Sequence, residues 1–192
     1  MGRLWKKAIE RAGLSELAER ALAGNGLDAR DIATLRGSDV LLVAGLADAV
    51  RERHRGDEVR LCTVEQARLQ PDLVRLQLDA GRADGPTGQE LLFEIAVARL
   101  AAPAARGIAV SLEQLGLELA QTALAFGADT LIGDLSSKRT LPLADGPAAR
   151  REELAGLLQR AGRKVKFIEP APAADNTAPA LRGGAPEMQG TP

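Results

Sequence analysis

The chain reads as an α/β protein: a helical preamble followed by βα units that form a partial barrel or an open parallel sheet. Three observations predict this. Apolar residues recur at helical spacing through the first third, and after Gly56 short apolar runs alternate with helical stretches. The length, 192 residues, gives one domain a sizeable core. It falls short of the ~250 residues of a complete eight-stranded α/β barrel.

Taken in order, Trp5, Ile9, Ala12, Leu17, Ala21 and Leu22 predict one helix over residues 3–22, stopped by Gly24-Asn25-Gly26. Asp28 caps a short helix that turns Ile32 and Leu35 inward. Ser38 caps a longer one through Val40, Leu42, Leu46, Ala49 and Val50, which ends in an Arg-rich turn before Gly56. Strands follow at 59–63, 73–78, 107–111, 130–132 and 165–168, with helices at 87–100, 113–126 and 147–161. Such alternation argues for parallel pairing, because parallel neighbours need a crossover that covers the sheet. Residues 1–57 are thus a helical lead-in packed on the core, and 58–169 an α/β domain. Residues 170–192, rich in Pro, Ala and Gly, lack the apolar burial that offsets ordering entropy and are expected to be a disordered tail.

Composition limits the functions available. Hydrophobic residues make up 45% of the chain but aromatics only 2%, so the core is built from Leu, Val, Ile and Ala around Trp5, Phe93, Phe126 and Phe167. A net charge of −1 gives no general attraction to nucleic acid or an anionic membrane, and the absence of tyrosine leaves no aromatic stacking platform. One cysteine, Cys62, excludes an intramolecular disulfide and a multi-cysteine zinc site. The start, MGRLWKKAIERAG, has no continuous apolar run of the signal-peptide kind. No stretch approaches the ~20 apolar residues of a membrane span, so the expected location is cytoplasmic. The glycines of ADGPTG and DGPA mark turns; neither fits a nucleotide cradle, and no cofactor is expected.

Three blocks carry a resemblance to a known family. Residues 26–59, GLDARDIATLRGSDVLLVAGLADAVRERHRGDEV, resemble the helical lead-in of aminofutalosine synthase and dehypoxanthine futalosine cyclase, the radical SAM enzymes of the futalosine route to menaquinone. Their HGD-like step into the first barrel strand is matched by His54-Arg55-Gly56-Asp57. Residues 93–134, with IAVARL and AQTALAFGAD, resemble a later helix and strand, and 153–169, ELAGLLQRAGRKVKFIE, the closing helix and strand. The departures are as informative. The family holds its iron–sulfur cluster on a CxxxCxxC loop after the first strand, whereas here Cys62-Thr63 runs into VEQARLQPDLV. The family's DDLDGT-like step reads Asp129-Thr130-Leu131-Ile132-Gly133-Asp134, with only Asp129 and Gly133 matching in place. The resemblance therefore implies a relative without the cluster site.

Asp129 and Asp134 bracket a short strand, and ligand groups gather at strand ends in parallel α/β folds. Asp134 with Ser136, Ser137 and Lys138 is the better-placed cluster, although Asp and Ser are also ordinary turn residues. Cys62 reads as a thiol nucleophile or, more simply, as a small buried hydrophobe. His54 reads as an acid–base partner of Asp57 or as a cation at a helix end. Glu113 and Glu118, five apart on a helix, point to different sides and make no acid–base pair. Arg150, Arg151, Arg160, Arg163, Lys164 and Lys166 make a locally basic, solvated stretch.

Three functions follow as expectations. The first is a non-catalytic relative of the futalosine enzymes that associates with a protein partner or a second copy, since an incomplete barrel exposes strand edges and apolar faces. The second is a small-molecule (nucleoside-like) binding module with Asp129, Asp134 and Lys138 at the rim of a retained pocket. The third is a residual enzyme with new chemistry at Cys62 or His54.

Overall fold

The structure, a computed structural model, describes residues 3–78, 85–143 and 145–168; the tail expected at 170–192 lies outside the described residues. Four helices open the chain: α1 (Arg3–Arg11), α2 (Ser15–Ala23), α3 (Ala29–Arg36) and α4 (Val40–Arg55). The single helix expected over 3–22 is in fact two, because the chain turns at Gly13 with φ of 70°. Beyond the turn, Leu14, Leu17 and Ala21 pack with Ile9 of α1 in one core cluster. Asp28 caps α3 as expected, accepting a hydrogen bond from the Asp31 N–H at 2.8 Å. The cap of α4 is Asp39, one residue after Ser38. Its carboxylate accepts from the N–H groups of Leu41 and Leu42, while the Ser38 hydroxyl donates back to the Thr34 carbonyl.

The α/β part runs β1 (Glu58–Cys62), α5 (Val64–Arg68), β2 (Leu73–Arg75), α6 (Gly88–Ala101), β3 (Gly107–Ser111), α7 (Leu112–Ala123), β4 (Thr130–Ile132), α8 (Pro147–Arg160) and β5 (Lys164–Phe167). All five strands are parallel, in the order β2-β3-β4-β1-β5, so the sheet is open rather than barrel-like. The register sets Leu61 against Leu131, Val110 against Leu131, and Val59 against Val165. The expected strand at 73–78 is shorter: its ladder ends where Arg75 faces Ala109, because β3 itself turns into α7 at Ser111. Nor is the helix expected at 113–126 continuous. Gly116 leaves helical geometry at φ 72°, and the last three residues, Leu124–Phe126, wind as a 3₁₀ turn.

Period-two alternation divides the sheet's side chains between two faces. Val59, Leu61, Ile108, Val110 and Leu131 meet Leu92 and Ile95 of α6, Ala120 and Ala123 of α7, and Leu154 and Leu158 of α8 in the main core. The opposite face carries smaller and more polar side chains, among them Arg60, Cys62, Ala109, Ser111 and Thr130. A second core joins the lead-in to the domain through Leu35, Val43, Leu46 and Val50, which pack with Ala96 and Leu100 of α6. Helix α6 therefore faces both cores, which is why Leu91, Leu92, Ile95, Ala96, Val97 and Leu100 are buried around most of its circumference. No helix among the described residues is long and apolar enough to cross a membrane.

Candidate functional site

The connections create the site. From β2 to β3, β3 to β4 and β4 to β5 the chain moves the same way across the sheet, and α6, α7 and α8 share one face. From β1 to β2 it moves the opposite way. A right-handed crossover in that direction must pass over the other face. Helix α5 lies there, its Ala67 packed with Cys62, Leu73, Ala109 and Ile132. Adjacent strands β4 and β1 therefore send their chains to opposite faces, the arrangement that opens a ligand crevice at the carboxyl ends of an open α/β sheet.

That crevice, about 280 Å³, is lined by Thr63, Val64, Glu65, Glu113, Gly133 and Asp134. Val64, 40% exposed, also borders an adjoining hollow of about 490 Å³ over the ends of β2 and β3. Ala109 and Ile132 form part of the hollow's wall, with Arg68, Arg75, Gln77, Ser111 and Gln114 around them.

Local hydrogen bonds hold the walls. Thr63 and Gln66 form a capping box at the start of α5, and the Gln66 side-chain amide donates to the Ile168 carbonyl at 2.7 Å, tying α5 to the end of β5. Ser111 caps α7 and donates to Glu113 Oε2 at 2.9 Å. Glu113 Oε1 accepts from the Asp134 N–H at 2.7 Å, bridging the ends of β3 and β4. The Ser136 hydroxyl and N–H donate to Asp134 Oδ1 and hold its carboxyl below the ordinary carboxylate range.

The residues singled out from the sequence do not form one cluster. Asp134 is in the crevice, but Lys138 pairs with Asp145 at 2.7 Å in exposed surface. Asp129 lies at the other end of β4, in a buried ion cluster under the amino edge of the sheet. Its carboxylate accepts from Arg99 Nη2 at 2.7 Å, Arg55 Nε at 3.2 Å, the Thr130 hydroxyl at 2.8 Å and the Ile108 N–H at 3.2 Å. Arg60 Nη2 stands 3.8 Å away, and Arg60 Nη1 donates to Asp72 at 2.9 Å. Arg99, fully buried, also donates to the carbonyls of Gly127 and Arg106. Burial pulls its guanidinium below the ordinary arginine value, and Asp129 opposes that shift. Gly127 is required here: its φ is 93°, and a Cβ would stand 2.8 Å from Arg99 Cγ. Asp129 is thus a scaffold residue.

Cys62 is wholly buried, and desolvation pushes its thiol up to about 11, so it is inert near neutrality. His54 hydrogen-bonds through Nε2 to the Leu22 carbonyl at 3.0 Å and fastens the end of α2 to α4. The two stand at opposite ends of β1 and cannot act together. The basic stretch near the carboxyl end is partly structural: Arg150 is buried against the Ser136 carbonyl, Arg163 reaches Asp48, and Arg151 lies over the Phe167 ring.

Among the described residues, no group of three or more His, Cys, Asp or Glu side chains could hold a metal ion. No protein-family model, curated protein or solved structure matches the chain. The cleft residues Glu65, Arg68, Arg75 and Gln114 were not singled out from the sequence. The signal that would have found two of them is the Thr63-x-x-Gln66 capping box, which announces α5 immediately after a strand.

Proposed function

We propose that the chain is a small-molecule-binding module, a relative of the futalosine-pathway radical SAM enzymes that uses the cleft at the carboxyl edge of its sheet without cluster chemistry. What supports the reading is the coincidence of the crevice between Thr63, Glu113 and Asp134 with the point where β4 and β1 send their chains to opposite faces. Association through the sheet edges, the first reading the sequence raised, has less support. Strand β2 has only three residues, and β5 carries Lys164 and Lys166, both of which are devices against edge pairing.

The test is amide-resolved titration with S-adenosylmethionine, futalosine-type nucleosides and a panel of small polar metabolites. A bound member shifts resonances of residues 63–68, 109–114 and 132–134. It also raises apparent stability by about 2.7 kcal/mol at a hundredfold excess over Kd. Val64→Trp, which fills the cleft, abolishes both effects. If no member of the panel moves those resonances, the binding reading fails. Incorporation of about four irons per chain on anaerobic reconstitution would overturn the cluster-free part.

A further inference from the structure

We infer that the cleft selects an elongated dipolar ligand, anionic at one end and cationic at the other; this rests on the binding reading above. The two halves of the cleft are opposite in charge. The hollow over β2 and β3 is lined by Arg68 and Arg75 and by no acidic side chain. The crevice between β4 and β1 is lined by Glu65, Glu113 and Asp134 and by no basic one.

The charges are also free to act. Neither Arg68 nor Arg75 has a hydrogen-bond or ion-pair partner among the described residues, and Glu65 has none. Asp134 receives the Ser136 hydroxyl and N–H at Oδ1 yet stays exposed to solvent, and its lowered pKa keeps the carboxylate ionised. Glu113 is occupied by Ser111 and the Asp134 N–H, so it holds the wall in place. Guanidinium pairs of the Arg68–Arg75 kind favour carboxylate or phosphate groups, and an acidic crevice favours an ammonium.

Length follows from the sheet. Strands β2 and β4 are two strand spacings apart, about 10 Å. A compound that carries both charges on one carbon cannot reach both ends. Between the ends lies Val64, an exposed apolar side chain backed by buried Ala109 and Ile132, against which a methylene chain can rest.

Calorimetric titration of the full chain with ω-aminooctanoate, octanedioate and octanediamine tests this. The expected result is that ω-aminooctanoate binds and the other two bind about tenfold more weakly or worse, as one lost charge-assisted contact implies. Arg75→Ala and Glu65→Gln, both changes in exposed side chains, each weaken ω-aminooctanoate by about tenfold. Arg75→Glu shifts preference to octanediamine, and circular dichroism confirms that each variant is folded. Octanedioate or octanediamine binding as tightly as ω-aminooctanoate, with cleft resonances moving, overturns the dipolar inference and leaves the binding reading standing. If none of the three moves cleft resonances while a member of the metabolite panel does, the dipolar inference alone falls. If nothing does, both fall.

Discussion

Asp129→Ala leaves three guanidiniums, those of Arg55, Arg60 and Arg99, around a vacated position. The carboxylate is 2% exposed and the Arg99 side chain 0%, so water cannot replace the lost partner. Removing one side of such a buried pair costs about 3–5 kcal/mol, mostly the penalty of an uncompensated charge. Two details place the expected loss in the lower half of that range. Arg99 keeps its bonds to the Gly127 and Arg106 carbonyls, and Arg55, 21% exposed, already lies 3.8 Å from Asp72. A loss of about 3–4 kcal/mol is a large share of the ~5–15 kcal/mol that a domain has. At ~2–4 °C per kcal/mol it lowers Tm by roughly 6–16 °C. Urea denaturation followed by circular dichroism measures it, and the double-mutant cycle with Arg99→Met isolates the pair. The double variant should be at least about 1 kcal/mol more stable than additivity predicts, because Met leaves no charge to strand. A loss under about 1 kcal/mol for Asp129→Ala, or an additive cycle, would refute the view that this carboxylate organises the amino edge.

The other predictions concern separate elements. Buried Cys62 should resist alkylation at neutral pH until the chain unfolds. Its thiol is raised to about 11 in the fold, so its contribution to stability is complete below the ordinary thiol value near 9 and lost as pH rises through about 11. Cys62→Ala should remove that slope from a pH series of melts. Gly45→Ala sets a helix-propensity gain of about 1 kcal/mol against overpacking of about 1–3 kcal/mol, because the new Cβ stands 2.4 Å from Trp5 Nε1. The expected net is destabilising, with a red shift of the chain's single tryptophan emission; unchanged emission would show that α1 is not seated there. Asp39→Ala should cost about 1 kcal/mol in a chemical melt, as loss of an N-cap does. Ser38→Ala, next to it, should change little, and the reverse ranking would restore Ser38 as the cap.

The strands were legible because they are short apolar runs between turn residues, and the parallel sheet followed from the helices between them. Its order did not follow, since nothing in the sequence of β1 says that it pairs with β4 and β5. The misplaced features are local competitions. Ser38 and Asp39 are both good caps, and only the path of the chain decides between them. Gly13 and Gly116 are compatible with helix by periodicity, yet each adopts a positive φ and interrupts the helix there. Helix α5 has five residues, too few to show a period. Asp134 was legible as the residue at the carboxyl end of a short strand, and it lies in the crevice. The role of Asp129 was hidden because its main partner, Arg99, lies thirty residues away on α6.

The two edges of the sheet solve the same electrostatic problem in opposite ways. At the amino edge, arginines from α4, β1 and α6 converge on Asp129, and Asp72 takes up the remaining charge of Arg60. Such a cluster is closed rather than fully paired: Arg60 Nε and Nη2 are buried without a hydrogen-bond partner among the described residues, and Gly107 leaves just the space that the Arg60 guanidinium fills. At the carboxyl edge the charges are kept apart, acids beside β1 and β4 and arginines beside β2, with Val64 between them. The Gln66 bond to Ile168 and the Glu113 bond to Asp134 fix α5 and the ends of β3 and β4 in place. The sheet thus neutralises charge at one edge and holds unpaired charge at the other. Releasing α5 tests the proposed cleft: Gln66→Ala should cost the fold little yet weaken whatever the cleft binds, because it frees the helix that carries Glu65 and Arg68.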